Sequence, residues 1–204
     1  MSPERTPAEG GAGGGPDAST VRGFRLTPFT MESELELHGH LRDRAVWEPY
    51  SWFGFGDLVR PFGWSGAAGS RGDDAWHMRI ERVDGTLAGR VSWTLGNRYG
   101  GPDGHRGWAV GALVLPEHRG TAAGFAGITL LIDHLFTTTP ANRIESATSG
   151  FAEVRSVREP AGMRFEGVMR GAQWRDGQWR DVAMYAVTRT DWQARRGHAA
   201  PPGA

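Results

Sequence analysis

The 204-residue chain contains no cysteine and no lysine. The first absence removes disulfides, thiolate nucleophiles and Cys-ligated metals. The second removes Schiff-base chemistry and any lysine-activated nucleophile. A net charge is missing too: 23 basic residues, all of them arginine, balance 23 acidic ones. No overall field therefore favours nucleic acid or an anionic membrane as partner. No apolar run approaches the roughly 20 residues of a membrane span, and the first residues lack the apolar stretch of a signal peptide. These features predict a cytoplasmic protein. What is present is 39% hydrophobic and 10% aromatic residues, enough for a real core, and 31 glycines, about twice ordinary usage.

Residues 1–22 and 193–204 read as a disordered leader and tail around a single domain spanning 23–192. Phe24–Pro28 predicts a strand. A helix over Met31–Leu41 follows, with Thr30 as N-cap and Leu35, Leu37 and Leu41 in a helical pattern. Trp76–Val83 and Thr86–Leu95 are β-rich runs joined by Asp84-Gly85, a strong hairpin signal. A Gly-rich loop, Gly96–Gly107, leads into the apolar strand Trp108–Leu115, which Pro116 ends. Residues 120–137 place Phe125, Ile128, Ile132, Leu135 and Phe136 at helical spacing. A strand at Arg143–Thr148 and a short helix at Phe151–Ala161 follow. Arg164–Met169 and Asp181–Arg189 read as two closing strands around a polar connection. The order predicts an α/β (α+β) fold, a mixed central sheet of about seven strands with helices on both faces.

Between the apolar strand and the long helix stands Pro116-Glu117-His118-Arg119-Gly120-Thr121-Ala122-Ala123-Gly124. A Gly/Ala-rich turn entering a helix leaves backbone N–H groups unpaired along a positive dipole, which suits phosphate. Tight packing of helix on strand is the other use of such a turn. It is neither a Walker A loop nor a G-x-G-x-x-G fingerprint.

The stretch VGALVLPEHRGTAAGFAGITLLIDHLF resembles the acetyl-CoA-binding motif of the GNAT N-acetyltransferase superfamily, whose signature is Arg/Gln-x-x-Gly-x-Gly/Ala. Glu166-Gly167-Val168-Met169-Arg170, Asp181, Tyr185-Ala186-Val187 and Asp191-Trp192 resemble the closing strands of its RimJ/RimL-like subgroup. The resemblance implies a sheet splayed at its centre, where the pantetheine arm adds like a β-strand to backbone groups of Leu113, Val114 and Leu115. It places the pyrophosphate on Arg119, Gly120, Thr121, Ala122, Ala123 and Gly124. An amide near Leu113 would polarise the thioester carbonyl. The amine attacks directly, so the absence of Cys and Lys costs nothing.

The chain departs from the family pattern in three places. Ala122 stands where the signature has Gly. Phe151 and Val154 stand where the subgroup has Asn-x-x-Ser, and Arg158 is near the position of a Tyr that protonates the leaving thiolate in other branches. Gln173 falls on a carboxylate position. The catalytic candidates are then His105, Glu48 and Tyr50, with His77, Asn97 and His118 as further polar residues. His105 has the pKa best suited to a base near neutrality. Trp47, Trp52, Phe53 and Phe55 are candidates for an apolar substrate pocket, or for a satellite cluster holding the loop to the sheet. No histidine has metal-ligand spacing to Asp or Glu, so no metal is expected. The implied function is an acyl-CoA-dependent N-acyltransferase acting on a small, secondary-metabolite or antibiotic-type amine, with acetyl-CoA or another acyl thioester as co-substrate. An acyl carrier protein as donor and a non-catalytic acyl-CoA-binding protein are the alternatives, and a homodimer stays open.

Overall fold

The structure, a computed structural model, describes residues 20–47, 70–72, 75–98, 106–149, 151–175 and 177–197. In chain order it comprises β1 (Phe24–Thr27), α1 (Met31–Leu41), α2 (Arg44–Trp47), β2 (Ser70–Gly72), β3 (Ala75–Arg82), β4 (Leu87–Arg98) and β5 (Arg106–Val114). A 3-10 turn (Pro116–His118) leads to α3 (Ala123–Thr138), β6 (Arg143–Thr148), α4 (Phe151–Arg158), β7 (Arg164–Arg175), β8 (Gln178–Thr188) and α5 (Arg189–Gly197).

The strands form one sheet in the order β1-β3-β4-β5-β6-β8-β7, with β2 added to β3 beside β1. All pairs are antiparallel except β5 with β6. The Asp84-Gly85 turn closes as its sequence predicts: Gly85 takes φ +92° and its amide donates to the Arg82 carbonyl at 2.9 Å.

Alternation along the strands separates two cores. Ala88 packs with Ile80, Val91, Ile144, Tyr185 and the inner face of α3, whereas neighbouring Leu87 packs with Leu37, Leu41, Val46 and Leu115 under α1 and α2. Thr30 caps α1 through a capping box with Ser33. The predicted stripe of α1 is corrected at Leu35, which is 66% exposed while Leu37 and Leu41 are buried. Gly127 lets α3 press onto the sheet, since a Cβ there would lie 2.6 Å from Ile80 Cδ1. The C-terminus of α3 is closed by Arg189, whose guanidinium donates to the carbonyls of Phe136, Thr139 and Ala141 at 2.6–3.0 Å.

Four predicted boundaries move. The Gly-rich loop starts and ends inside strands, because β4 runs to Arg98 past a bulge and β5 begins at Arg106. The predicted polar connection between the closing strands is itself strand: Trp174 pairs with Trp179, and Gly177 turns at φ +74°. Val21 and Arg22, which the sequence assigns to the leader, belong to the described structure. Val21 packs on the core and exchanges backbone hydrogen bonds with Phe24 at 2.9 and 3.0 Å. At the other end α5 runs to Gly197, past the expected domain end at residue 192. Thr188 caps α5, its hydroxyl oxygen accepting from the Asp191 amide at 3.2 Å while the Asp191 carboxylate accepts from the Thr188 amide at 3.3 Å, and the Trp192 indole donates to Asp133 at 2.5 Å. Among the described residues no helix is long and apolar enough to cross a membrane.

Candidate active site

The parallel pair at the centre of the sheet is short. Strands β5 and β6 are in register only at Trp108↔Ile144 and Ala109↔Glu145. Beyond that rung β5 stays paired with β4 as far as Val114, and β6 stays paired with β8 as far as Thr148. Val110–Val114 and Ser146–Thr148 thus part from each other and leave a gap open between two otherwise intact half-sheets.

Which backbone groups line the gap follows from parity. The Leu115 amide donates to the Ala88 carbonyl at 3.0 Å, so in the antiparallel β4–β5 ladder Leu113 and Gly111 also turn their amides toward β4. Ala112 and Val114 turn theirs toward the gap. This corrects the expectation for Leu113, Val114 and Leu115, of which Val114 alone faces the opening. Leu115 has both backbone groups in use, its carbonyl accepting from His118 at 2.9 Å, and its fully buried side chain belongs to the α1/α2 core.

At the end of β5 the 3-10 turn carries the chain into α3. The amides of Arg119 and Thr121 donate within the turn, to Pro116 and His118. The Ala123 amide is capped by the Thr121 hydroxyl at 3.2 Å, and Ala122 opens the helix without a side-chain cap. Among the described residues the amides of Gly120, Ala122 and Gly124 carry no hydrogen bond, which leaves donors at a helix N-terminus. The Arg119 side chain does not extend to this cradle. Its guanidinium donates to the carbonyls of Val46 at 2.6 Å and Val114 at 3.3 Å, tying α2 and β5 to the turn. A cation that sequence reading missed does stand here: Arg22 lies 4.9 Å over the Phe125 ring, in the first turn of α3.

The predicted catalytic residues Glu48, Tyr50 and His105 lie outside the described residues, as do Trp52, Phe53 and Phe55. Trp47 is described only as the last residue of α2, and Asn97 only as part of β4. His77 is buried on β3, where burial and the nearby Arg90 push its pKa down to about 3. It is neutral at physiological pH and too weak a base to deprotonate an ammonium. His118 is half-buried in the 3-10 turn, Ser156 is exposed on α4, and Gln173 sits opposite Arg180 in the outer part of the β7–β8 hairpin.

The structure instead brings polar groups to the gap at Glu145 and Ser146, which the sequence did not mark, and at Arg158, which it marked only as a departure from the family pattern. Glu145, on the last β5–β6 rung, is 4% exposed and accepts from Arg143 Nε at 3.3 Å. Arg143 also holds Glu166 through two bonds of 2.8 and 2.5 Å, which raises its own pKa and lowers that of Glu166. On the α3/α4 face, Ser146 and Arg158 are buried, and neither Ser146 Oγ nor Arg158 Nε has a hydrogen-bond partner.

No protein-family model matches the chain, and no curated protein matches it. Solved structures do. RimJ of Mycobacterium smegmatis in complex with CoA-disulfide is 24% identical, covers 82% of this chain and 83% of its own, and superposes with TM-score 0.65. The spermidine N-acetyltransferase of Vibrio cholerae in complex with CoA and spermine is 16% identical over 85% of this chain and 99% of its own, TM-score 0.63. A ribosomal-protein alanine acetyltransferase from Vibrio fischeri is 17% identical over 84% and 96%, TM-score 0.65. The fold is that of the GNAT acetyltransferases, the class whose motif the sequence resembles.

Proposed function

We propose that the protein is an acyl-CoA-dependent N-acyltransferase that passes an acyl group, acetyl in the simplest case, directly to a small amine. The observation that carries this reading is the β5–β6 gap, lined by the free edge of Ala112 and Val114 and ending at the unpaired amides of Gly120, Ala122 and Gly124. A pantetheine arm satisfies such an edge as an added strand. A pyrophosphate satisfies the helix N-terminus, with Arg22 as counter-charge. The similar fold of CoA-bound RimJ and of the CoA- and spermine-bound spermidine N-acetyltransferase supports the same donor.

In this reading the amine nitrogen attacks the thioester carbon and the carbonyl oxygen gains charge, which the Ala112 amide stabilises. The C–S bond then breaks with its electron pair on sulfur, and the nitrogen loses a proton. Glu145 is the buried carboxylate placed at the mouth of the gap to receive that proton. The acceptor belongs to the secondary-metabolite or antibiotic-type amines, a choice supported by the aromatic residues Trp47, at the end of α2, and Trp52, Phe53 and Phe55, which follow it in the sequence. A carrier-protein-bound acyl donor is the second reading, favoured by one observation: Arg119 is committed to protein carbonyls instead of phosphate.

The experiment is incubation of the protein with acetyl-CoA and a panel of amines while free thiol is followed. Amine-dependent thiol release is expected. No turnover together with no CoA binding by calorimetry overturns the reading, and acyl-CoA serving as well as acyl-carrier protein excludes the second.

A further inference from the structure

Arg158 is the last residue of α4. Its carbonyl accepts from the Met163 amide at 3.0 Å, and Gly162, at φ +95°, turns the chain away into β7. Its side chain stays behind, buried with only 6% exposure. Helix α4 packs against α3 and β8, and Tyr185 of β8 is itself 3% exposed. Tyr185 is the register partner of Ser146, the first residue of β6 beyond the last β5–β6 rung. The neighbouring residue, Val157, lies against Gly124 of α3: a Cβ there would be 3.6 Å from Val157 Cγ2 and 3.4 Å from Val114 Cγ2. Arg158 therefore belongs to the junction where α4, the N-terminus of α3 and the two edges of the gap meet.

A buried cation is costly unless paired, and a buried donor without an acceptor is costly again. Among the described residues no carboxylate pairs with Arg158. Charges on α3, α4 and α5 are engaged elsewhere: Arg155 binds Glu159 on α4, Asp133 of α3 binds Trp192 and Arg196, and Arg195 donates to the Pro160 carbonyl. Arg158 Nε and Ser146 Oγ are buried without partners. Two unpartnered polar groups beside one opening are what an anion from outside the chain would satisfy.

We propose that Arg158 holds the negative charge of the departing CoA thiolate, so that the donor leaves as an ion-paired thiolate and not by proton transfer from a side chain. This rests on the acyltransferase reading above. The C–S bond breaks with both electrons on sulfur, the guanidinium stabilises the sulfur anion, and the nitrogen's proton passes to Glu145 or to water. CoA takes up a proton from solvent as it leaves. Burial pushes the Arg158 pKa down to about 10, which still leaves it cationic at neutral pH. A guanidinium gives up a proton poorly, so it acts through charge.

The test titrates CoA bound to the full chain, reading the ultraviolet absorbance of the thiolate against a desulfo-CoA blank. A free thiol ionises near pH ~8.5, and an adjacent cation lowers this by at least about one unit. The wild type is expected to show that depression, Arg158→Lys to keep most of it, and Arg158→Met to lose it while still binding CoA. With a responsive amine, Arg158→Met is also expected to lower kcat about 100-fold with little change in donor KM. A bound thiol that titrates like free CoA in the wild type, which needs no folded variant, overturns the proposal and leaves the acyltransferase reading standing. An Arg158→Met protein that titrates like wild type overturns it equally. Failure of CoA to bind at all overturns the acyltransferase reading first, and the proposal with it.

Discussion

A Cβ placed on Gly89 would stand 2.2 Å from the carbonyl oxygen of Leu113 and 3.0 Å from Val114 Cα. Both obstacles are backbone, so no side-chain movement relieves them, and Gly89 also holds φ +153°, outside the range L-residues favour. The close approach of β4 to β5 at this rung fixes the strand whose other edge lines the gap. Gly89→Ala is expected to lower stability by about 2–3 kcal/mol in urea unfolding and to weaken CoA binding as β5 shifts. A loss under about 0.5 kcal/mol would show that the two strands have room to part.

Ala122 separates stability from binding. It opens α3 among the unpaired amides, where an added carboxylate is favoured by the helix dipole by about 0.5 kcal/mol. The same carboxylate would occupy the place assigned to the pyrophosphate. Ala122→Asp is expected to leave the melting temperature unchanged or slightly raised while weakening CoA binding at least tenfold, about 1.4 kcal/mol. Calorimetry on a variant that binds CoA as tightly as the parent would place the pyrophosphate elsewhere.

Stability should fall on mild acidification because of His77. Its folded pKa of about 3 lies below the ordinary 6.5, so between these values the unfolded chain binds a proton that the folded chain refuses. Stability therefore rises with pH across that window and is lost as pH falls below about 6.5. His134, lowered by burial, adds in the same direction. The hydrogen-bonded carboxylates of Glu166 and Asp191 contribute only in more acid solution. His77→Gln is expected to flatten the pH dependence of the urea midpoint between about 6.5 and 5. An unchanged slope would contradict the burial of a neutral imidazole.

Much of the fold was legible because the signals are local. Asp84-Gly85 announced its hairpin, Thr30 its helix, and the Arg119–Gly124 turn its helix entry. The second hairpin carried the same signal in Asp176-Gly177. It was obscured because Gln173, Trp174, Trp179 and Arg180 beside it are mostly exposed and lack the apolar alternation that marks a half-buried strand. Parity at the gap was not legible: whether Leu113 or Val114 faces it depends on β4 register, settled by the Leu115–Ala88 bond. Nor was the polar lining. Glu145 and Ser146 look like ordinary surface residues in sequence, Arg158 is marked there only by its nearness to a family Tyr position, and only the packing of α3 and α4 against the sheet buries them.

The account stands on the β5–β6 gap as the donor site, and amide hydrogen exchange of the full chain with and without CoA tests it most directly. Ala112, Val114, Gly120, Ala122 and Gly124 are expected to slow together on CoA addition. Leu115, already bonded to Ala88, should change little. CoA that binds while these five amides exchange as before would contradict the account.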